Sequence, residues 1–172
     1  MSERVLVLGG ASSGKSRFAL DRARALGGER VTFIATARSG DPGMEERIAA
    51  HRAERPAAWP TLEGDADLAG AIAAARAGDV LLVDSLTLWV AAALEGGAAV
   101  DDLWVPVRLA LLAWTSAVVL VSDEVGHGVV PATASGRRFR EALGRVNQRA
   151  AELADEAWLV VAGLAVPLRA RS

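Results

Sequence analysis

Continuous apolar runs alternate along the chain with segments whose apolar positions recur every three or four residues. Residues 5–8, 31–35, 80–83 and 117–121 are runs rich in valine, leucine and isoleucine, the pattern of strands buried on both faces. Residues 17–26 set Phe18, Ala19, Ala23 and Leu26 among Arg17, Asp21, Arg22 and Arg24, which predicts a helix with one apolar stripe, stopped by Gly27-Gly28. A loop is expected at 39–43 and a helix at 44–53, with Met44 and Ile48 on one face. That helix ends at Pro56, because the residue before a proline is pushed out of the helical region. Residues 59–63 read as extended, 67–76 as an alanine-rich helix, 86–94 and 103–114 as helices around a glycine loop at 95–99. A polar connection follows at 122–134, then an arginine-rich helix at 137–154 built on Phe139, Leu143, Val146 and Leu153. Residues 158–162 and 164–168 flank Gly163 and predict a closing hairpin.

Strands alternating with helices imply a mainly parallel sheet covered on both faces. At 172 residues, with no repeat or linker, the chain is expected to form one domain over 1–172. A net charge of −2 gives no electrostatic case for binding nucleic acid or an anionic membrane. Cysteine is absent, which excludes a disulfide framework and fits a cytoplasmic protein. The N-terminus enters a strand at once and lacks a signal-peptide layout. Residues 103–121 approach the length of a membrane span, yet they hold Pro106, Arg108, Thr115 and Ser116 and change midway from helical spacing to a β-branched run. A helix followed by a strand, with no membrane insertion, is the expectation.

The first strand runs into Gly9, Gly10, Ala11, Ser12, Ser13, Gly14, Lys15 and Ser16. These fit G-x-x-x-x-G-K-[ST], in which a glycine-rich backbone cradles phosphates. Successive N–H groups and the positive end of the following helix would face the anion. Lys15 would reach the β- and γ-phosphates, and the Ser16 hydroxyl would ligate Mg²⁺. Lys15 is the single lysine beside eighteen arginines, so a compact ammonium is wanted at that one place. The fold expected is a RecA-like P-loop NTPase, a three-layer α/β sandwich with a C-terminal strand that can run antiparallel.

In such sheets, sites form at the carboxyl ends of strands. Asp84, after Val80-Leu81-Leu82-Val83, can hold Mg²⁺ or cap the next helix in competition with Ser85. His51 lies among Arg47, Arg52 and Arg55. Positive charge there welcomes phosphate and favours the neutral, nucleophilic imidazole; a solvated helix face explains the same residues. Glu124 can orient metal, accept a substrate proton or serve as a turn acid. Arg137, Arg138 and Arg140 offer charge to a substrate phosphate or merely coat a helix, and the five tryptophans suit packing more than a ligand surface.

Several blocks occur in a distinctive order: G-G-A-S-S-G-K-S, I-A-T-A, M-x-x-R-I-x-x-H-R-x-x-R-P-x-x-W-x-T-x-E, L-L-V-D-S-L-T, E-V-G-x-G-V-V-P and Gly144-Arg145-Val146-Asn147-Gln148-Arg149. Together, from Val5 to about Leu168, they resemble the bifunctional adenosylcobinamide kinase/adenosylcobinamide-phosphate guanylyltransferases of cobalamin assembly. The resemblance implies two reactions. ATP or GTP phosphorylates the hydroxyl of the aminopropanol arm of adenosylcobinamide. A histidine then takes GMP from GTP and passes it to adenosylcobinamide phosphate, giving adenosylcobinamide-GDP. Matched residue by residue, His51 is the nucleophile, and Ala35, Thr36, Ala37, Arg52, Arg55, Glu63 and Asp84 fall where the family contacts GTP. The resemblance also implies a corrinoid partner and a homo-oligomer, with a trimer expected, and residues 86–94 and 103–114 offer contacts for it. The competing reading is a P-loop kinase of another small hydroxyl compound, without a histidine intermediate. A GTPase-type switch is disfavoured by the lack of N-K-x-D, and any guanine selectivity is expected from the region between His51 and Glu63.

Overall fold

Residues 3–37, 55–65 and 67–170 are described by a computed structural model. Among them, seven strands form one sheet: β1 Arg4–Gly9, β2 Val31–Ala35, β3 Thr61–Glu63, β4 Val80–Asp84, β5 Val118–Asp123, β6 Glu156–Val161 and β7 Leu164–Arg169. Their spatial order is β3-β2-β4-β5-β1-β6-β7. Every neighbouring pair is parallel except β6 and β7, so the closing strand does run antiparallel. The loop and helix expected at 39–53 lie outside the described residues.

Alternation along the central strands builds two separate cores. Val5, Val7, Val119 and Val121 face α1 Lys15–Gly27, which contributes Ala19, Leu20 and Ala23. Leu6, Leu120, Leu81 and Val83 face the other way, toward α2 Leu68–Ala74, α3 Leu86–Glu95, α4 Val100–Ala113 and α5 Ala134–Leu153. A strand with both faces covered has no use for polar residues, which explains the unbroken apolar runs. Each fully buried leucine or valine adds about 1.5–3 kcal/mol of hydrophobic stabilisation.

Local capping chemistry fixes where helices begin. Asp67 accepts from the Gly70 N–H at 2.8 Å, Ser85 from the Leu88 N–H at 3.4 Å, and Thr133 from the Gly136 N–H at 3.1 Å. The first helix differs: its N-cap is Gly14, at φ 92°, with no side-chain cap. The Lys15 N–H bonds to the Ser13 hydroxyl, and the other first-turn N–H groups have no side-chain cap and can serve a ligand.

Three expectations are revised. β5 runs through Ser122 and Asp123, two residues into the expected connection, because the parallel ladder with β1 continues to the Gly9–Asp123 pair. α4 begins at Val100 rather than 103, which sets Pro106 well inside the helix, where it deprives the Asp102 carbonyl of a donor. Leu86, Trp89, Val90, Ala92 and Ala93 of α3 are buried in the chain's own core, so 86–94 is not a free oligomer contact. It is α4 that leaves Val105, Leu109 and Leu112 exposed along one face. Trp59, Trp89 and Trp104 are buried, Trp114 donates to the Asp79 carbonyl at 3.1 Å, and Trp158 packs on Phe18. No helix among the described residues is long and apolar enough to cross a membrane.

Between β6 and β7, Ala162 and Gly163 both have positive φ, 52° and 78°, as a two-residue type I′ turn requires. Alanine pays a steric penalty in that region, so Ala162→Gly should stabilise the fold by about 0.5–1 kcal/mol, seen as a higher urea midpoint at unchanged slope. Leu143, fully buried where α5 meets the sheet, supplies the opposite case. Leu143→Ala should cost about 2–5 kcal/mol in the same measurement.

Candidate functional site

Glycine at position 9 is a packing requirement. A Cβ there would lie 2.7 Å from the Val160 carbonyl oxygen and collide with the Ser13 hydroxyl. The chain then turns through Ser12 and Gly14, both at positive φ, and the Ser13 N–H donates to the Gly10 carbonyl at 3.3 Å. Ser13 is buried; its hydroxyl accepts from the Lys15 N–H at 3.3 Å, and its carbonyl accepts from the Gly163 N–H at 2.8 Å. The β6–β7 turn thus braces the outer side of the phosphate loop, and only a small residue fits at 14, where a Cβ would approach Gly163 to 3.3 Å.

Lys15 folds back across this loop. Its ammonium donates to the Gly10 carbonyl at 3.2 Å and meets the Asp123 carboxylate at 2.6 Å. Sequence reasoning missed Asp123. Its only signal was a position at the end of an apolar run, shared with its neighbour Glu124, and the register of β5 against β1 is what sets Asp123 beside Gly9. Asp123 is itself held through its backbone. Its N–H donates to the Thr87 hydroxyl at 2.7 Å, and its carbonyl accepts from the Asn147 amide at 3.0 Å. Thr87 from α3 and Asn147 from α5, both buried, thereby fix the end of β5 from the opposite face of the sheet.

A cavity of about 310 Å³ opens at this end of the sheet. Its polar lining comes from Lys15, Ser16, Arg55, Asp84, Ser85, Asp123 and Glu124, and its apolar lining from Phe33, Leu88 and Val125, with Ala11, Ala35 and Ala37 also lining it. Ser85 takes the N-cap of α3, so the alternative role weighed for Asp84 is already filled. Asp84 instead shares the cavity with Ser16. A hydroxyl and a carboxylate are hard oxygen donors suited to Mg²⁺, which binds through one or two carboxylates together with substrate phosphates.

The remaining residues singled out in the sequence divide. Arg55 stacks over the Phe33 ring at 3.9 Å and donates to the Thr61 hydroxyl at 3.3 Å. Thr36 is buried and does not line the cavity; its hydroxyl donates to the Ser85 carbonyl at 2.6 Å and accepts the Ser85 N–H at 2.7 Å. Thr36 therefore ties the ends of β2 and β4 together and sets the backbone beside Asp84. Glu63 is exposed on β3, the far edge strand, and is not among the cavity residues. His51 and Arg52 lie outside the described residues. Arg137 is occupied at the start of α5, donating to the carbonyls of Pro131 and Ala132.

Among solved structures, the flagellar accessory protein FlaH from Methanocaldococcus jannaschii aligns with a TM-score of 0.51 at 16% identity, over 98% of this chain and 79% of that one. An ATPase from the type III secretion system of pathogenic bacteria aligns with a TM-score of 0.54 at 10% identity, over 97% and 58%. At such identities they establish the fold: a single α/β domain of the P-loop NTPase kind. Sequence comparison is more specific. The bifunctional adenosylcobalamin biosynthesis protein CobP of Pseudomonas aeruginosa is 45% identical, over 96% of this chain and 97% of that protein. The bifunctional adenosylcobalamin biosynthesis protein CobU of Salmonella typhimurium is 40% identical, over 96% and 99%. Residues 5–168 match the family described as cobinamide kinase / cobinamide phosphate guanyltransferase, and the chain belongs to that family.

Proposed function

We propose that this enzyme carries out both reactions of its family at the one cavity, with His51 as the residue that carries GMP. The observation that supports this is the position of Arg55. It belongs to the block His51-Arg52-Ala53-Glu54-Arg55-Pro56 and lines the same cavity as Lys15 and Ser16. Four residues of chain span at most about 14 Å, so the connection from Arg55 is short enough to allow His51 to approach the cavity.

In the kinase reaction, the phosphate loop holds ATP or GTP while the γ-phosphoryl group passes to the hydroxyl of the corrinoid's aminopropanol arm. In the second reaction, the neutral His51 imidazole attacks the α-phosphorus of GTP. An N–P bond forms and the bond to the β-phosphate breaks, releasing pyrophosphate. Adenosylcobinamide phosphate then attacks the same phosphorus and takes GMP from the histidine, giving adenosylcobinamide-GDP. Dividing the transfer in two spares a direct encounter of polyanions. Lys15 neutralises charge on the β- and γ-oxygens, while Arg52 and Arg55 do so near the α-phosphate. Mg²⁺, held by Ser16 and Asp84, would supply further neutralisation of phosphate charge. Guanine selection falls to the region from His51 to Glu63. The protein works in the cytoplasm as a homo-oligomer, a trimer by family resemblance, for which the exposed Val105, Leu109 and Leu112 face of α4 offers contact area.

Incubation with GTP labelled at the α-phosphate should leave acid-labile, base-stable label on the protein, and γ-label should leave none. His51→Ala should abolish the α-label; its persistence there, or its absence from the wild type, overturns the histidine assignment. Lys15→Ala should lower both activities by at least about 10²-fold, since one loop serves both, with kinase turnover and pyrophosphate release as the two readouts.

A further inference from the structure

Among the described residues, three carboxylates line the cavity: Asp84, Asp123 and Glu124. Asp123 is engaged by the Lys15 ammonium at 2.6 Å. Asp84 lies at the end of β4, with Ser16 in the same cavity, where a cation would draw on it. Glu124 stands apart from both. It follows β5 directly, and its N–H donates to the Gly9 carbonyl at 3.1 Å, so its backbone abuts the first residue of the phosphate loop. Its side chain meets no cation among the described residues and is held instead by its own turn, accepting the Gly126 N–H on Oε1 at 2.6 Å. One such bond leaves a carboxylate with most of its acceptor capacity.

The turn is built to keep that carboxylate in place. Arg140, on α5, donates to the Gly126 carbonyl at 2.5 Å. A Cβ on residue 126 would come within 2.7 Å of Glu124 Oε1, so glycine there is what lets the side chain lie against the turn.

We propose that Glu124 is the catalytic base of the kinase reaction. The substrate hydroxyl oxygen forms a bond to the γ-phosphorus, and the bond from that phosphorus to the β–γ bridging oxygen breaks with its electron pair, releasing the nucleoside diphosphate. The hydroxyl proton passes to Glu124 and is returned to water when product leaves. Asp123 is paired with Lys15, whereas Glu124 meets no cation among the described residues. The guanylyl step needs no proton taken from its nucleophilic atom, since a neutral imidazole attacks through its unprotonated nitrogen. The assignment rests on the reading that the phosphate loop holds the triphosphate in this cavity.

The test is phosphorylation of cobinamide by ATP under saturating substrate, with nucleotide affinity measured separately from a fluorescent ATP analogue. Glu124→Gln should lower kcat by on the order of 10²-fold while nucleotide affinity stays within about threefold. Glu124→Asp should recover part of the rate. Gly126→Ala, which leaves the carboxylate present but displaces it, should lower kcat in the same direction. A kcat within about threefold of wild type in Glu124→Gln overturns the proposal, as does a loss matched by an equal loss of affinity, which would make Glu124 a nucleotide-holding residue. Failure of the underlying reading shows itself elsewhere, as nucleotide affinity untouched by Lys15→Ala.

Discussion

The site depends on the Lys15 ammonium and what surrounds it. Lys15 is the only lysine in the chain and sits between the Gly10 carbonyl and the Asp123 carboxylate with little exposure to water. A partly buried cation without partners costs several kcal/mol, whereas a pair in this setting gains a few kcal/mol of Coulomb energy, offset largely by desolvation. The pair is therefore a poor source of stability and a good way to hold a charge in position. A triphosphate entering the loop offers the ammonium a stronger set of acceptors, and the loop's open N–H groups offer the triphosphate theirs.

Everything near that cation is arranged by the sheet. Because β5 lies between β1 and β4, Asp123 falls beside the phosphate loop and Asp84 one strand further away. Thr36 locks the end of β2 to Ser85, and Thr87 with Asn147 locks the end of β5. These threonine and asparagine contacts work through the backbone and touch no cavity, yet they decide where two carboxylates point. The hairpin at the far side of β1 does the same for Ser13. A rigid frame of this kind suits phosphoryl and nucleotidyl transfer, whose catalysis lies mainly in positioning and in neutralising charge.

Membership of the cobinamide kinase / cobinamide phosphate guanyltransferase family gives the cavity's mixed walls a sense. The polar wall of Lys15, Ser16 and Asp84 is suited to phosphates. Phe33, Leu88 and Val125, which also line the cavity, are apolar and suit a flat base or an alkyl arm better than a phosphate. Arg55 lines the same cavity with its guanidinium stacked on Phe33.

The sequence alone determined the elements whose physics is local. Unbroken valine and leucine runs announced the buried strands, Gly163 announced the hairpin, and the spacing from Gly9 to Ser16 announced a phosphate loop, because each reflects burial, turn geometry or backbone freedom within a few residues. The order of the blocks around His51 and Arg55 identified the family by resemblance, which the comparisons bear out. Strand order was not legible, since parallel pairing links residues from 28 to 151 positions apart without marking either. Asp123 was passed over for that reason, and the tie from the Thr36 hydroxyl to Ser85 was not legible either. Only the tertiary structure decided which carboxylate holds Lys15 and which stands clear of it, because that choice is made by the register of β5 on β1.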